Sequence, residues 1–212
     1  MRGFKYISSE LHKGRLEALT DGIYAIALTL GVLSIDVSDL PTGTTVANLG
    51  NSLIRLEPQI FHYGIAFFIL ASFWMAHHRQ TNYIRSVDEI YIWLSVISLF
   101  FVSLVPFSVQ LVGDYPASFP AVFIYSLNMF LIGFLNTCGW YHATRDHRLI
   151  VDDFPESRVV RSVKKSLTVP LISVFVIIFA LFVNPLYSTV FYFLIPAIGF
   201  LIVYKEKKGK QE

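Results

Sequence analysis

Cysteine is almost missing from this chain, with one residue, Cys138, among 212. A single thiol excludes an internal disulfide and offers no cysteine cluster to a metal. Lying in an apolar run, Cys138 reads as a small packed side chain. Charge is scarce too: Asp, Glu, Lys and Arg make up 15% of the residues, against about a quarter in a soluble domain. No glycine-rich phosphate loop stands out, and no nucleophile lies near a base, so the chain reads as a non-enzyme that needs no cofactor. No low-complexity tract or internal repeat divides it. Residues 1–212 are read as a single domain.

Apolar sequence is what remains, with 54% hydrophobic residues and a mean hydropathy of +0.57. Six runs are long enough to be membrane helices, at roughly 16–35, 60–76, 90–112, 117–143, 166–183 and 186–204. At about 1.5 Å per residue the first is roughly 30 Å long, the thickness of a hydrocarbon core. Residues 1–15 resemble the basic start of a signal peptide. The apolar run behind them is too long for one, and no convincing small-residue cleavage site follows, so it is read as a retained first span. Between spans, residues 36–58 are read as a polar connection broken by Pro41, Asp114-Tyr-Pro as a short turn, and Thr144 to Lys165 as a long charged connection. The expected fold class is an all-α membrane protein with six transmembrane helices per chain.

Where the basic residues fall sets the orientation. The N-terminus holds four Lys and Arg, the 2–3 connection two, the 4–5 connection six and the C-terminal tail four, while the three opposite loops hold only Arg55. Sixteen against one is a strong positive-inside bias, so both termini are expected in the cytoplasm.

The first span has unlike faces. At about 100° per residue, Ile26, Thr29, Leu30 and Leu33 share one stripe, with Thr29 its one polar member. Asp21 projects away from it, and Ala25, Ala27, Gly31 and Ser34 flank it with small side chains that let helices approach closely. Such a stripe fits either a packing face or a lining face. Glu17 and Asp21 lie near one membrane surface, where an ionisable group is costly without a partner.

Three motifs then carry a resemblance. Arg15-x-x-x-Leu19-Thr20-Asp21, followed by Gly22-Ile-Tyr-Ala-Ile-Ala-x-Thr29-Leu30, resembles the R-x-x-x-F-S-D opening of the transmembrane protein 175 family, the endolysosomal potassium channels and their bacterial relatives. Phe73-Trp74-Met-Ala-His77-His78-Arg79 closes span two and Leu99-Phe100-x-x-x-Leu104-x-Pro106-Phe107 lies in span three, in the family's order. Leu19 stands where Phe is usual and Thr20 where Ser is. Spans four to six match only as generic apolar helices.

The resemblance implies a homotetramer whose first helices line a central pore. Ile26 would form its hydrophobic constriction, Thr29 a polar ring with transient K+ nearby, and Leu30 and Leu33 further apolar layers. It implies a structural charge network of Arg15, Asp21 and His77, and a pore without the usual filter. No Thr-Val-Gly-Tyr-Gly loop occurs in the sequence. The expected activity is leak-like potassium-selective conduction in a prokaryotic plasma membrane, with lipid, K+ and further copies of the chain as partners and no nucleic acid. A secondary transporter coupled to protons through Asp21 and His77 is the main alternative, and an intramembrane hydrolase using the histidines a distant third. His77 and His78 do not suggest a metal pair, because adjacent helical residues face different directions.

Overall fold

The computed structural model describes residues 2–35, 50, 53–151 and 156–195, with side chains from Lys13 onward except Ser34, Glu156 and Ser157. Helix α1 spans Arg2–Leu30 and tightens into a 3₁₀ turn over Gly31–Ser34. Then come α2 (Glu57–Thr81), α3 (Glu89–Ser103), α4 (Val105–Asp114), α5 (Phe119–Thr144), α6 (Glu156–Ser166), α7 (Thr168–Phe182) and α8 (Pro185–Ser188), the last leading into a 3₁₀ turn over Thr189–Phe193.

Among the described residues, five segments are long and apolar enough to cross a membrane: Lys13–Leu33, Glu57–Thr81, Glu89–Asp114, Phe119–His147 and Arg158–Phe182. The first four coincide with expected spans. The sixth expected span, 186–204, starts within α8 and passes beyond the described residues, and most of the 36–58 connection lies outside them as well.

Two elements differ from the sequence reading. Span three is broken at Leu104, because Pro106 lacks the amide that would donate to the Val102 carbonyl; the Leu104 amide turns back to Phe101 at 3.2 Å. The 4–5 connection is shorter than expected, since Glu156–Ser166 is helical and continues through Leu167 into α7. Val159 and Val163 pack inward on that segment, so it is an amphipathic helix whose charges masked its period.

The main core joins α1, α2, the α3–α4 pair, α5, α7 and the 3₁₀ turn after α8 around Ile65, Val102, Tyr125, Met129, Val176 and Tyr192. Polar side chains link the helices inside it. Ser98 Oγ donates to Asn136 Oδ1 at 2.9 Å, Asn128 Nδ2 to Ser108 Oγ at 3.2 Å, and the Tyr192 hydroxyl to Ser173 Oγ at 3.1 Å. A second, smaller cluster lies at the basic end, where Leu16, Ile84, Tyr91, Trp140, Ala143, Leu149 and Ile150 come together.

Helix α1 lies against this body through Leu16, Thr20, Tyr24, Ala27 and Gly31, all buried. Spacings of three and four keep them on one face. Gly31 is where the approach is tightest: a Cβ there would stand 2.9 Å from Tyr63 Cε2. Gly31→Val should therefore push α1 outward and destabilise the detergent-purified protein by about 1–3 kcal/mol. Gly64→Ala, whose added carbon meets nothing within 4 Å, should be neutral or slightly stabilising. Thermal unfolding of the two variants side by side measures the difference.

Candidate pore-lining face and its supports

Burying one side of α1 leaves the other uncovered. Ile26 is 56% exposed, Leu30 44% and Leu33 72%, and Thr29 is exposed among them. The four predicted residues thus share a single outward face. Elsewhere the exposed surface of the spans is rich in aromatics, with Phe68, Trp93, Phe100 and Phe107 among them. Bulky rings suit acyl chains. The α1 face is aliphatic and carries a hydroxyl.

That hydroxyl has a defined orientation. Thr29 Oγ1 donates to the carbonyls of Ala25 at 2.9 Å and Ile26 at 3.0 Å, sharing its one hydrogen within its own helix. Its lone pairs remain as acceptors. The face therefore offers an oxygen that can accept or coordinate but has no free hydrogen to donate.

Behind the face, α1 is held at three heights. Near the basic end, Lys13 Nζ donates to the Ile84 carbonyl at 2.8 Å and pairs with Glu17 at 3.7 Å. One turn further, Trp74 Nε1 donates to Asp21 Oδ1 at 2.8 Å, and the Trp74 ring stacks on His78 with centroids 5.5 Å apart. Deeper in, the buried Tyr24 hydroxyl hydrogen-bonds Asn136, which also accepts from Ser98.

Within one chain, the expected charge network is only partly assembled. Asp21 lies within electrostatic range of His77. Arg15 is exposed, and no ion pair among the described residues joins it to Asp21 or His77. His77 Nε2 is buried and has no hydrogen-bond partner among the described residues. The partner that sequence reasoning missed is Trp74. An indole N–H beside a membrane boundary needs an acceptor, and its position in the Phe73-to-Arg79 motif was the available signal.

Sequence reasoning also missed a clasp between the 2–3 and 4–5 connections. Ile84 and Ile150 form an antiparallel bridge, with Arg85 N donating to Leu149 O at 2.7 Å and Val151 N to Tyr83 O at 2.9 Å. Asp88 caps α3 by accepting from the Tyr91 amide at 2.8 Å and meets His142 Nε2 at 2.8 Å. An Asp placed directly before an apolar helix is a recognisable N-cap. Burial by itself would raise the Asp88 carboxyl; the Tyr91 amide, His142 and the Arg148 charge outweigh it and hold the carboxyl below its usual value.

Comparison with known proteins accords with this geometry. A family profile described as "Endosomal/lysosomal potassium channel TMEM175" matches residues 15–106. A potassium channel of Streptomyces collinus is 31% identical over 154 residues, covering 70% of this chain and 73% of that protein. The chain belongs to the TMEM175 family. Another relative, a potassium channel of Chamaesiphon minutus, is 31% identical over 140 residues, 65% of this chain and 68% of the relative. The crystal structure of a lysosomal potassium-selective TMEM175 homolog from that organism superposes with a TM-score of 0.75 at 26% identity, covering 90% of this chain and 97% of the other. A Gallus gallus relative named as an endosomal/lysosomal proton channel is 30% identical over 52% of this chain, which spans 23% of its length. Membership in an ion-channel family, together with the apolar helices, makes this a membrane-spanning channel-type protein.

Two outcomes follow from these supports. Trp74→Phe and Asp21→Ala should each lower stability modestly, and the double variant should be little worse than either single one, because both remove the same bond. Unfolding temperatures of the four proteins give the coupling. The Asp88 contribution has a defined pH sign. A carboxylate held low in the folded state stabilises fully above its unfolded value, about 3.9, and this is lost as pH falls through the lower folded value. The gap in unfolding temperature between the parent and Asp88→Asn should therefore close as the pH is taken below about 4.

Proposed function

We propose that the chain forms a homotetrameric, potassium-selective, leak-like cation channel, with Ile26, Thr29, Leu30 and Leu33 of four copies facing a central pore. One copy supplies one such face, and one helix cannot enclose a pathway. The observation that carries the reading is the outward face of α1, aliphatic around a hydroxyl whose hydrogen is already committed to the backbone.

Ile26 supplies the hydrophobic constriction. An ion cannot shed water against an aliphatic ring without compensation, so conduction requires the ring to widen or wet. Thr29 supplies the compensation one turn on, where four oxygens replace part of the hydration shell. Potassium gives up its water at lower cost than the more tightly hydrated sodium, so such a ring favours it. The pathway then needs no separate filter loop and no cofactor. Asp21, with Trp74 and His77 behind it, holds the helix in place, and Arg15 completes that charge network across the assembly. The chain sits in a prokaryotic plasma membrane with its basic ends in the cytoplasm, consistent with its bacterial relatives and its charge distribution.

Reconstitution into liposomes under opposed potassium and sodium gradients tests this. The parent protein should give currents that reverse near the potassium potential and persist without a pH gradient, whereas saturable, proton-coupled flux would favour the transporter reading. Ile26→Asn should wet the constriction and raise leak, with more sodium passing. Thr29→Ala should still conduct but shift the reversal potential toward sodium. An unshifted potential in Thr29→Ala removes the ring, and unaltered leak in Ile26→Asn removes the gate. Crosslinking in mild detergent should end at four subunits; a monomer that retains flux would overturn the assembly.

A further inference from the structure

The α6–α7 segment carries chemistry that conduction does not use. Arg158, Arg161, Lys164 and Lys165 fall within eight residues, and no acid occurs from Arg158 to Phe182. Arg161 and Lys164, and Arg161 and Lys165, stand three and four apart on one helix, where like charges repel. No ion pair among the described residues neutralises Arg161 or Lys164. The opposite side of the segment is committed to the protein's own body. Trp140 Nε1 donates to Ser162 Oγ at 2.8 Å, and Pro170 packs where a Cβ on Gly133 would lie 2.8 Å from Pro170 Cδ. The basic side thus faces outward. Val160, Arg161, Lys164, Lys165 and Thr168 line a shallow, widely open groove on it.

The apolar continuation of that face points to what the groove holds. At about 100° per residue, Leu171, Phe175 and Phe182 continue the line of Lys164 and Thr168. Leu171 is 65% exposed and Phe182 77%. From Thr168 to Phe182 the helix rises roughly 21 Å, about the depth of one leaflet with some to spare. A ligand that fits both halves has an anionic head and a long apolar tail.

We propose that the groove of Arg161, Lys164, Lys165 and Thr168 binds the phosphate headgroup of an anionic phospholipid whose acyl chain lies along Leu171, Phe175 and Phe182. The cations neutralise the phosphate at the membrane boundary, where each is worth most. The Thr168 hydroxyl adds a donor to a phosphate oxygen. The bound head relieves the repulsion between Arg161 and Lys164 and fixes the start of the fifth span in the headgroup layer.

Native mass spectrometry of the detergent-purified protein, titrated with dioleoyl phosphatidylglycerol or dioleoyl phosphatidylcholine, tests the site. The parent should retain phosphatidylglycerol in preference to phosphatidylcholine. Arg161→Gln/Lys164→Gln/Lys165→Gln should weaken phosphatidylglycerol binding on the order of a hundredfold and leave phosphatidylcholine unchanged. Arg79→Gln/Arg85→Gln, on another loop of the same basic side, should leave both unchanged. If the triple variant fails to match the parent in elution volume and unfolding temperature, Lys164→Gln alone should weaken binding about fivefold. Inorganic phosphate at matched concentration should not displace the lipid. Equal retention of the two lipids, an equal loss in the Arg79/Arg85 control, or displacement by phosphate would each overturn the proposal. A neighbouring copy covering the face would appear as no lipid preference. The readout is bound lipid, so its failure would leave the conduction reading intact.

Discussion

The close seating of α1 on the rest of the chain is the constraint from which the other features follow. A helix in hydrocarbon gains little by hiding apolar surface from lipid tails, so its contacts rest on close packing and polar ties. Leu16, Thr20, Tyr24, Ala27 and Gly31 supply the packing, and at Gly31 the Tyr63 ring occupies the space a side chain would need. Once that face is committed, the opposite one has no choice of orientation. Ile26, Thr29, Leu30 and Leu33 are exposed because their neighbours are buried. Small residues on one side of α1 and the aliphatic stripe on the other are two results of one helical period.

The polar ties are long-range, and they shape what holds α1. Trp74 reaches Asp21 across 53 positions, and Asn136 joins Tyr24 on α1 to Ser98 on α3. The Trp74–Asp21 bond lies at the exposed edge of the helix pair, whereas Tyr24 and Ser98 are buried, where a bond to Asn136 is costly to leave half-made because the surviving partner is unsatisfied. Asn136 is therefore a junction among three helices. The core also contains two buried polar atoms with no hydrogen-bond partner among the described residues, Tyr125 Oη and Asn128 Oδ1. They lie on one stretch of α5, away from the α1 face.

The sequence made some of this legible and left some of it hidden, for physical reasons. Hydropathy and length located the first four spans within a few residues, because a bilayer enforces both. The α1 stripe was readable because helical period alone decides which residues share a face. The break at Leu104 had a visible cause in Pro106, yet proline is common enough in membrane helices that its presence does not fix a break. Helix α6 was hidden by its own charges: Val159 and Val163 mark an inward face, but the cations between them read as a loop. The Trp74–Asp21 bond and the Asp88–His142 contact could not be read locally, since each joins residues more than 50 positions apart. Family resemblance supplied the roles proposed for Ile26 and Thr29. It did not supply the hydrogen-bonding state of Thr29, which depends on the rotamer.

In the proposed pore, that rotamer bears on how one residue would serve a dry constriction and a cation together. A threonine whose hydrogen pointed outward would present a donor to the opening, and a cation would meet the wrong end of the O–H dipole. Donation to Ala25 and Ile26 turns the dipole so that its negative end faces outward. The β-branched side chain has few rotamers in a helix, and Thr in particular populates those that let Oγ1 reach a carbonyl three or four residues back. Serine could make the same bond, but it lacks the methyl group that keeps the surrounding face apolar. Threonine thus combines a fixed acceptor with an aliphatic wall in the space of one side chain. The residues that bracket it on the face, Ile26, Leu30 and Leu33, carry no polar side-chain atoms, so in the proposed pore none of them would compete with Thr29 for an ion.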